Sequence, residues 1–485
     1  MSRVGARARG GAVLGFLLLA IPIARLALQA PASAASRPAA AASSSPAAGF
    51  HVPAPAKTIL KNGLTVLVLE RHEIPLLQVQ LMIKAGSAAD PAGKAGMADL
   101  TARLLRRGTR TRTAQQFSEE VEFVGGSVEA AAGLDRTLVA GEFASRDSEV
   151  ALNLLSDMVL NPSFKEEEFA REQRLLIGEA VSRLDDPEAL ADEAFAAWLF
   201  GTHPYGRSPE GTKKSLAAIT RTDVASFYEA RYAPNNAVLA IVGDIGAAQA
   251  AQHADRYFAA WKKRAVPELK IGEAAQVRGR KVLLIDKPDA TQTQIRFGNV
   301  GIRRNDPEYF PLLVGNAVLG GGFTSWLVEE VRVKRGLTYF IRSSLLPYRS
   351  SGMIRVSTFS KNNTVPETIE VALEQVKRLR GGAIPPEDLD KARNFLAGTF
   401  PVRIESPDAL AGLTLDIDLY GLDPDYINQY QKRVRAVGID GVRRAARLVP
   451  TDDLAIVILG PAAALKEPLG RLGPVSVRPI DAALE

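Results

Sequence analysis

One long internal repeat constrains this chain more than any other feature of its sequence. An apolar run at 236–243 (NAVLAIVG) closely follows Pro234, and a second run at 453–460 (DLAIVILG) follows Pro450 in the same way. The two prolines lie 216 residues apart, which is the length of a whole domain and far longer than a solenoid repeat. The repeat therefore predicts two halves of the same kind.

Each half shows the same order of predicted elements, with strands first, helices next and a buried strand at the end. Asn62-Gly63 is a hairpin signal between two apolar runs near the start of the first half. We predict an α+β fold of two homologous halves, each an antiparallel-rich sheet packed with helices, related by internal duplication. The predicted boundaries are 57–262 for the first half, 263–280 for a linker and 281–478 for the second half.

The N-terminus has the pattern of a targeting segment. Three arginines within the first nine residues precede an apolar stretch, and the small-residue run at 31–35 (PASAA) is typical of a cleavage site. We therefore expect a signal peptide at 1–34, a flexible Ala/Ser/Pro-rich linker at 35–56, and a periplasmic location. A transmembrane anchor is the alternative, and a proline and an arginine that interrupt the apolar stretch disfavour it.

The amino-acid composition excludes several kinds of chemistry. The 485 residues contain no cysteine and only four histidines, no two of which lie close together in sequence. Disulfides, thiolate metal sites and a cysteine nucleophile are therefore excluded. The formal charge is +6, but residues 1–34 carry four arginines and no acid, which leaves +2 on the remainder. This charge gives no support to a nucleic-acid partner, and we expect no membrane span after signal removal.

Four segments in a fixed order make the chain similar to a known family. They are 62–70 (NGLTVLVLE), 84–91 (KAGSAADP), 203–212 (HPYGRSPEGT) and 231–244 (RYAPNNAVLAIVGD). The chain resembles the insulinase, pitrilysin and mitochondrial-processing-peptidase family of zinc peptidases, the inverzincins, over nearly its whole mature length. The resemblance implies a two-half peptidase fold and, in some members, a division of the catalytic work between two chains.

The resemblance places the zinc motif of that family, H-x-x-E-H, within 96–109. The surrounding sequence there matches the family, but the metal-ligating and general-base residues are replaced. The resemblance places Asp99 at the first histidine, Ala102 at the general-base glutamate and Arg103 at the second histidine. Zinc needs two neutral imidazoles on one helix face and a carboxylate that takes a proton from the bound water. Arg103 is a fixed cation and Ala102 cannot accept a proton, so we expect neither zinc nor a catalytic residue in this motif.

Glu179 matches the third ligand position of the family, and Glu172 lies two helical turns earlier on the same face. Glu179 is open to three interpretations: a relic metal ligand, a solvated helix acid, or the partner of Arg103 in an ion pair that replaces the metal site. Weak Ca²⁺ or Mg²⁺ binding by Asp99 and Glu179 is a further alternative, which the cation at Arg103 disfavours.

The second half keeps a different feature of the family. The resemblance implies a substrate-binding Arg and Tyr seven residues apart after a glycine loop, and Arg332 and Tyr339 follow the glycines at 320–322 with this spacing. Both side chains can hydrogen-bond a peptide carbonyl and stabilise developing negative charge. The alternatives are a helix-surface cation at Arg332 and a half-buried strand aromatic at Tyr339. The glycines lack the P-loop spacing, which favours a tight loop over a phosphate site.

Three functional hypotheses follow. The first is a non-catalytic, substrate-binding subunit of a heterodimeric zinc metallopeptidase, which supplies Arg332 and Tyr339 while a homologous H-x-x-E-H partner supplies the zinc and both act on peptides. The second is a peptidase-fold scaffold or peptide-binding protein with no role in proteolysis. The third is an active peptidase whose metal ligands the sequence does not reveal.

Overall fold

The computed structural model of the protein describes residues 50–484; the predicted signal peptide and residues 35–49 of the predicted linker lie outside this range. The strands of the first half are β1 (Ala56–Ile59), β2 (Thr65–Glu70), β3 (Leu76–Ile83), β4 (Ser127–Ala132), β5 (Thr137–Ala144) and β6 (Ala237–Gly243). Those of the second half are β7 (Arg280–Asp286), β8 (Gln292–Gly301), β9 (Ile341–Leu346), β10 (Gly352–Lys361), β11 (Leu454–Gly460) and β12 (Val475–Pro479).

Helices fill the intervals between these strands. In the first half they are α1 (Met97–Leu105), α2 (Ala114–Phe123), α3 (Ser148–Leu160), α4 (Glu166–Ser182), α5 (Pro187–Phe200), α6 (Lys213–Ala217), α7 (Arg221–Arg231) and α8 (Ala247–Phe258). In the second half they are α9 (Tyr309–Asn316), α10 (Val365–Arg380), α11 (Pro386–Arg403), α12 (Pro407–Tyr420), α13 (Tyr426–Arg435), α14 (Ile439–Ala446) and α15 (Ala462–Leu469). Two π-helical segments, Ala317–Gly321 and Val328–Lys334, follow α9.

The strands form two six-stranded mixed sheets, one in each half, which confirms the predicted α+β fold class. The first sheet has the order β1-β2-β6-β3-β5-β4, and the second has the order β12-β7-β11-β8-β10-β9. In each sheet the buried closing strand lies between one parallel and one antiparallel neighbour: β6 pairs with β2 and β3, and β11 pairs with β7 and β8. The repeat noticed in the sequence is therefore a repeat of sheet topology.

Both closing strands are buried along their whole length, which explains their unbroken apolar sequences. A strand that is covered by helices on both faces has no solvent side, so apolar residues replace the usual alternation. The hairpin predicted at Asn62-Gly63 joins β1 to β2, and Gly63 adopts φ +91°, a left-handed conformation that favours glycine.

The two halves exchange one helix each. Helix α5 belongs to the first half by sequence, yet it packs on β8 and β11 of the second sheet, with Leu190, Phe195 and Leu199 in the same core as Leu283 and Val457.

Helix α12 of the second half makes the reciprocal contact with β3 and β6 of the first sheet. Its Leu410 and Leu415 share a core with Leu69, Met82 and Val242 of that sheet. Each sheet therefore depends on the other half to cover one of its apolar faces.

The segments before and between the halves are anchored to the body. Val52 exchanges hydrogen bonds with the Asn428 side chain at 2.9 and 3.1 Å, so ordered chain starts before residue 57. In the irregular stretch before β7, Val277 is buried and exchanges hydrogen bonds with the Asn299 side chain at 2.9 and 3.0 Å. Among the described residues, no helix has both the length and the apolarity that a bilayer crossing requires.

The exchanged helices predict that neither half folds well alone. A chain of residues 50–262 would expose the apolar face of α5 and leave one face of its own sheet uncovered. We expect this fragment and the complementary fragment 263–485 to aggregate or to unfold without cooperativity when expressed separately, and to form a soluble complex when co-expressed. Size-exclusion chromatography with thermal denaturation measures this, and a monomeric fragment 50–262 with a sharp unfolding transition would contradict it.

Candidate functional site

The degenerate motif lies on α1, whose first turn is held by a buried carboxylate. Asp90 accepts hydrogen bonds from the backbone N–H groups of Gly96 and Ala98 at 2.8 and 2.9 Å, which satisfies N–H groups at the helix start that have no partner within the helix. Arg207, from the segment 203–212, donates to the carbonyl oxygen of Asp90 at 2.6 Å. The segments that the sequence shares with the family therefore hold α1 in place.

Arg103 connects the two other charged positions of the degenerate site. Its Nε lies 2.8 Å from Asp99 Oδ2 on the same helix, and its Nη1 lies 2.9 Å from Glu179 Oε2 on α4. One guanidinium thus bridges the first-histidine position and the third-ligand position. Of the three interpretations of Glu179 that the sequence left open, the structure shows the ion pair with Arg103.

The environment of Asp99 explains why a cation is needed here. Asp99 is only 3% exposed, and burial raises its pKa, an effect that Arg103 and a hydrogen bond from Ala132 N–H oppose. A buried carboxylate without a counter-charge is costly, so Arg103 offsets the penalty that burial of Asp99 creates. Glu179 is about half exposed, which makes its share of the pairing weaker.

A second ion pair continues the contact between the two helices. Arg107, four residues after Arg103, places Nε 2.6 Å from Glu172 Oε2, and Glu172 is only 2% exposed. Because the later arginine meets the earlier glutamate, the two chain segments run antiparallel at this contact. Sequence reasoning singled out Glu172 but missed Arg107, although its spacing of one helical turn from Arg103 was a usable signal.

The residues present at this site do not fit a zinc ion. The position of the second ligand is occupied by a guanidinium, which already uses both neighbouring carboxylates and would repel a metal cation. Ala102, at the position of the general base, is fully buried in the core and has no acid–base group. Within residues 50–484 no cluster of three or more His, Cys, Asp or Glu side chains could hold a metal ion.

Arg332 and Tyr339 lie in the second half on the segment that follows the glycines. Arg332 lies in Val328–Lys334 with its guanidinium 5.2 Å from the centre of the Phe323 ring, and Tyr339 is 80% exposed just before β9. Within the described part of the chain neither side chain makes a hydrogen bond or ion pair. The nearby Glu330 pairs instead with Lys334 and Arg335, both at 2.7 Å.

The glycines before this segment have a packing role. A Cβ on Gly320 would lie 2.5 Å from the backbone nitrogen of Ser343 on β9, so only glycine allows this close approach.

Tyr339 is exposed and lies outside the strands, so it is not the half-buried strand aromatic that was the alternative interpretation of this residue. Among the described residues no hydrogen bond or ion pair joins Arg332 or Tyr339 to Asp99, Arg103 or Glu179.

Removal of the Arg103 cation should destabilise the protein in a pH-dependent way. We expect Arg103→Met to lower the free energy of unfolding by about 2 kcal/mol at neutral pH, because Asp99 stays buried and loses its counter-charge. An acid whose pKa is raised by folding binds more protons when folded, so the deficit should shrink as the pH falls toward the ordinary range of Asp.

Urea denaturation at several pH values measures this deficit. Arg106→Met is the matched control, because Arg106 is exposed and makes no ion pair with any residue that the structure describes. The double variant Asp99→Asn/Arg103→Met should recover part of the loss. Equal stability of Arg103→Met and the native protein at neutral pH would show that the pair does not compensate Asp99.

Comparison with known proteins gives the same assignment for both halves. Residues 65–213 match the family model described as Insulinase (Peptidase family M16), and residues 218–396 match the model described as Peptidase M16 inactive domain. An uncharacterized zinc protease of Mycobacterium leprae is 28% identical over 84% of this chain and 92% of its own length. An uncharacterized zinc protease of Bacillus subtilis is 21% identical over 83% of this chain and 97% of its own length.

Solved structures agree with the sequence matches. A crystal structure of a peptidase M16 inactive domain from Pseudomonas fluorescens has a TM-score of 0.79 and 27% identity, and covers 85% of this chain and 98% of that chain. A protease from Helicobacter pylori, at 22% identity and a TM-score of 0.78 over 84% of this chain and all of that one, shows the same fold. On the sequence, the fold and these matches, the chain belongs to the insulinase (M16) family of peptidases.

Proposed function

We propose that this chain is the non-catalytic, substrate-binding subunit of a heterodimeric zinc metallopeptidase, with zinc held by a homologous partner that has an intact H-x-x-E-H motif. The observation that supports this most strongly is the contrast between the two halves. In the first half Arg103 pairs with both carboxylates of the degenerate metal position, whereas in the second half neither Arg332 nor Tyr339 makes a side-chain hydrogen bond or ion pair among the described residues.

The state of Arg332 and Tyr339 suits the binding of a peptide backbone. A guanidinium offers several N–H donors and a phenol offers one O–H donor, and a scissile carbonyl accepts hydrogen bonds from both as negative charge develops on its oxygen. Surface arginines commonly pair with nearby acids, but here Glu330 is already occupied by Lys334 and Arg335. Donors held without internal partners remain available to a ligand.

The surroundings of this pair also favour an extended ligand. Phe323 is 75% exposed and Val333 is 64% exposed, and both belong to the same segment of chain as Arg332. Large exposed apolar side chains near polar donors are typical of surfaces that contact another polypeptide. Peptide substrates and the partner subunit both fit this surface. The signal-like pattern at 1–34 supports assembly of the complex in the periplasm.

Substitutions in the second half should lower turnover without preventing assembly. In a complex reconstituted with a homologous H-x-x-E-H chain, we expect Tyr339→Phe to lower kcat/KM for an unfolded peptide by at least ~10-fold and Arg332→Ala by ~100-fold, because each removes a donor to the reacting carbonyl. Arg335→Ala is the matched control: the side chain is a neighbouring cation that already pairs with Glu330.

Peptide cleavage assays, with size-exclusion chromatography to verify the complex, test this proposal. Normal turnover in both Arg332→Ala and Tyr339→Phe would contradict the assigned role. Peptide binding by the isolated chain, with no H-x-x-E-H chain in the purified complex, would instead favour the second hypothesis of a peptide-binding protein outside proteolysis.

A further inference from the structure

A cavity of about 370 Å³ lies between the two halves, where α5 meets β9 and β10 of the second sheet. It is separate from Arg332 and Tyr339, neither of which lines it. Leu346 and Met353 form an apolar part of its wall. Its charged lining consists of three arginines and three acids: Arg183, Arg207, Arg355, Asp192, Glu193 and Glu210. Its volume is within the range of small-molecule binding pockets.

Arg355 shares its acidic partner with a second arginine. Two buried arginines on neighbouring strands, Arg296 at 2% exposure and Arg355 at 6%, share the single carboxylate of Asp192 on α5. Arg296 has further hydrogen bonds to the carbonyl oxygens of Thr358 and Glu188, at 3.1 and 3.3 Å. These contacts satisfy Arg296, which leaves Arg355 as the arginine with fewer acceptors.

Arg355 is the under-satisfied member of this pair. Its Nη2 lies 2.9 Å from Asp192 Oδ2, while its buried Nε has no hydrogen-bond partner among the described residues. Burial lowers the pKa of Arg355, which shows how poorly the protein alone solvates this guanidinium. A buried donor without an acceptor is costly, and an anionic oxygen from a ligand would remove that cost.

Tyr348 adds a hydroxyl to the same part of the cavity. Its ring packs edge-on against Tyr205 with 5.2 Å between centres, and burial raises the pKa of Tyr348 to about 12, so the phenol keeps its proton. The Tyr348 hydroxyl makes no hydrogen bond within the described part of the chain. A guanidinium and a neutral hydroxyl are donors that a carboxylate accepts well.

Glu193 gives the cavity a hydrogen-bond acceptor, in contrast to the donors Arg355 and Tyr348. Its Oε1 is buried and has no hydrogen-bond partner among the described residues. Burial raises the pKa of Glu193, an effect that the hydroxyl of Ser208 and the charge of Arg183 oppose. Its one ion pair, with Arg183, is long at 3.6 Å, because Arg183 makes its closer contact with Glu210 at 2.6 Å. An ammonium group would complete the pairing of Glu193.

We propose that this cavity binds a small zwitterion, with its carboxylate on Arg355 and Tyr348 and its ammonium group on Glu193. Free amino acids and short peptides both have this chemistry. The site lies wholly within this chain and does not depend on the proposed subunit role, so the two proposals can fail separately.

Calorimetric titration of the purified chain with alanine, dialanine and trialanine tests the site and distinguishes the two sources by length. Dialanine amide and N-acetyl-dialanine each lack one of the two charges. We expect at least one unmodified zwitterion to bind, and both blocked forms of dialanine to bind at least ~10-fold more weakly than dialanine if the peptide is the ligand.

Variants assign the charges to residues. Arg355→Met should weaken binding of the zwitterion at least ~10-fold and Glu193→Gln should weaken it similarly. Arg342→Met, which removes an exposed arginine of β9 outside the cavity, should change binding far less, because Arg342 acts on Arg355 only through its charge. Tyr348→Phe removes only one oxygen atom and tests the carboxylate contact should Arg355→Met fail to fold. The proposal would be overturned if none of the three zwitterions bound. It would also be overturned if the folded variants Tyr348→Phe and Glu193→Gln both bound the zwitterion as tightly as the native protein does.

Discussion

The electrostatic bridge made by Arg103 is the interaction on which this account of the protein depends. A buried Asp99 and the facing Glu179 bring two negative charges to the helix contact at which the family resemblance places a metal cation. The arginine supplies a positive charge of its own, so α1 and α4 remain packed without a metal. The neighbouring pair of Arg107 and Glu172 repeats the arrangement at the next turn. Loss of zinc chemistry is therefore compatible with a fully retained fold.

The exchange of α5 and α12 joins the two halves into one packed body. Each helix covers a face of the sheet in the opposite half, so the relative placement of the two sheets is fixed by apolar burial. This packing creates the charged cavity, because Asp192 reaches Arg296 and Arg355 only when α5 lies on the second sheet.

Sequence reasoning reached the features that depend on local pattern. The hairpin at Asn62-Gly63 and the unbroken apolar runs of β6 and β11 were predictable, because turn chemistry and two-sided burial leave direct marks on a sequence. The contact of Arg103 with Glu179 was also predictable, since the lost metal ligands define which positions must meet.

Other features left no local mark. Helix α5 has buried side chains on much of its surface, and nothing in its sequence tells which sheet it covers. Arg296 and Arg355 lie on strands, where a charged residue normally predicts a solvent-facing position; their burial follows only from the arrival of Asp192 from the other half. Val52 and Asn428, which form hydrogen bonds with each other, lie far apart in the sequence. The Ala/Ser/Pro-rich composition of the segment 35–56, to which Val52 belongs, favoured a flexible linker.

The most direct test of the central claim is the zinc content of the isolated native chain beside that of the variant Asp99→His/Arg103→His, after dialysis against trace zinc. The account predicts that the native chain retains no stoichiometric zinc and cleaves no peptide. It predicts that the variant, with two imidazoles facing Glu179 on the same helical frame, binds close to one equivalent. Stoichiometric zinc together with proteolysis in the native chain alone would contradict it.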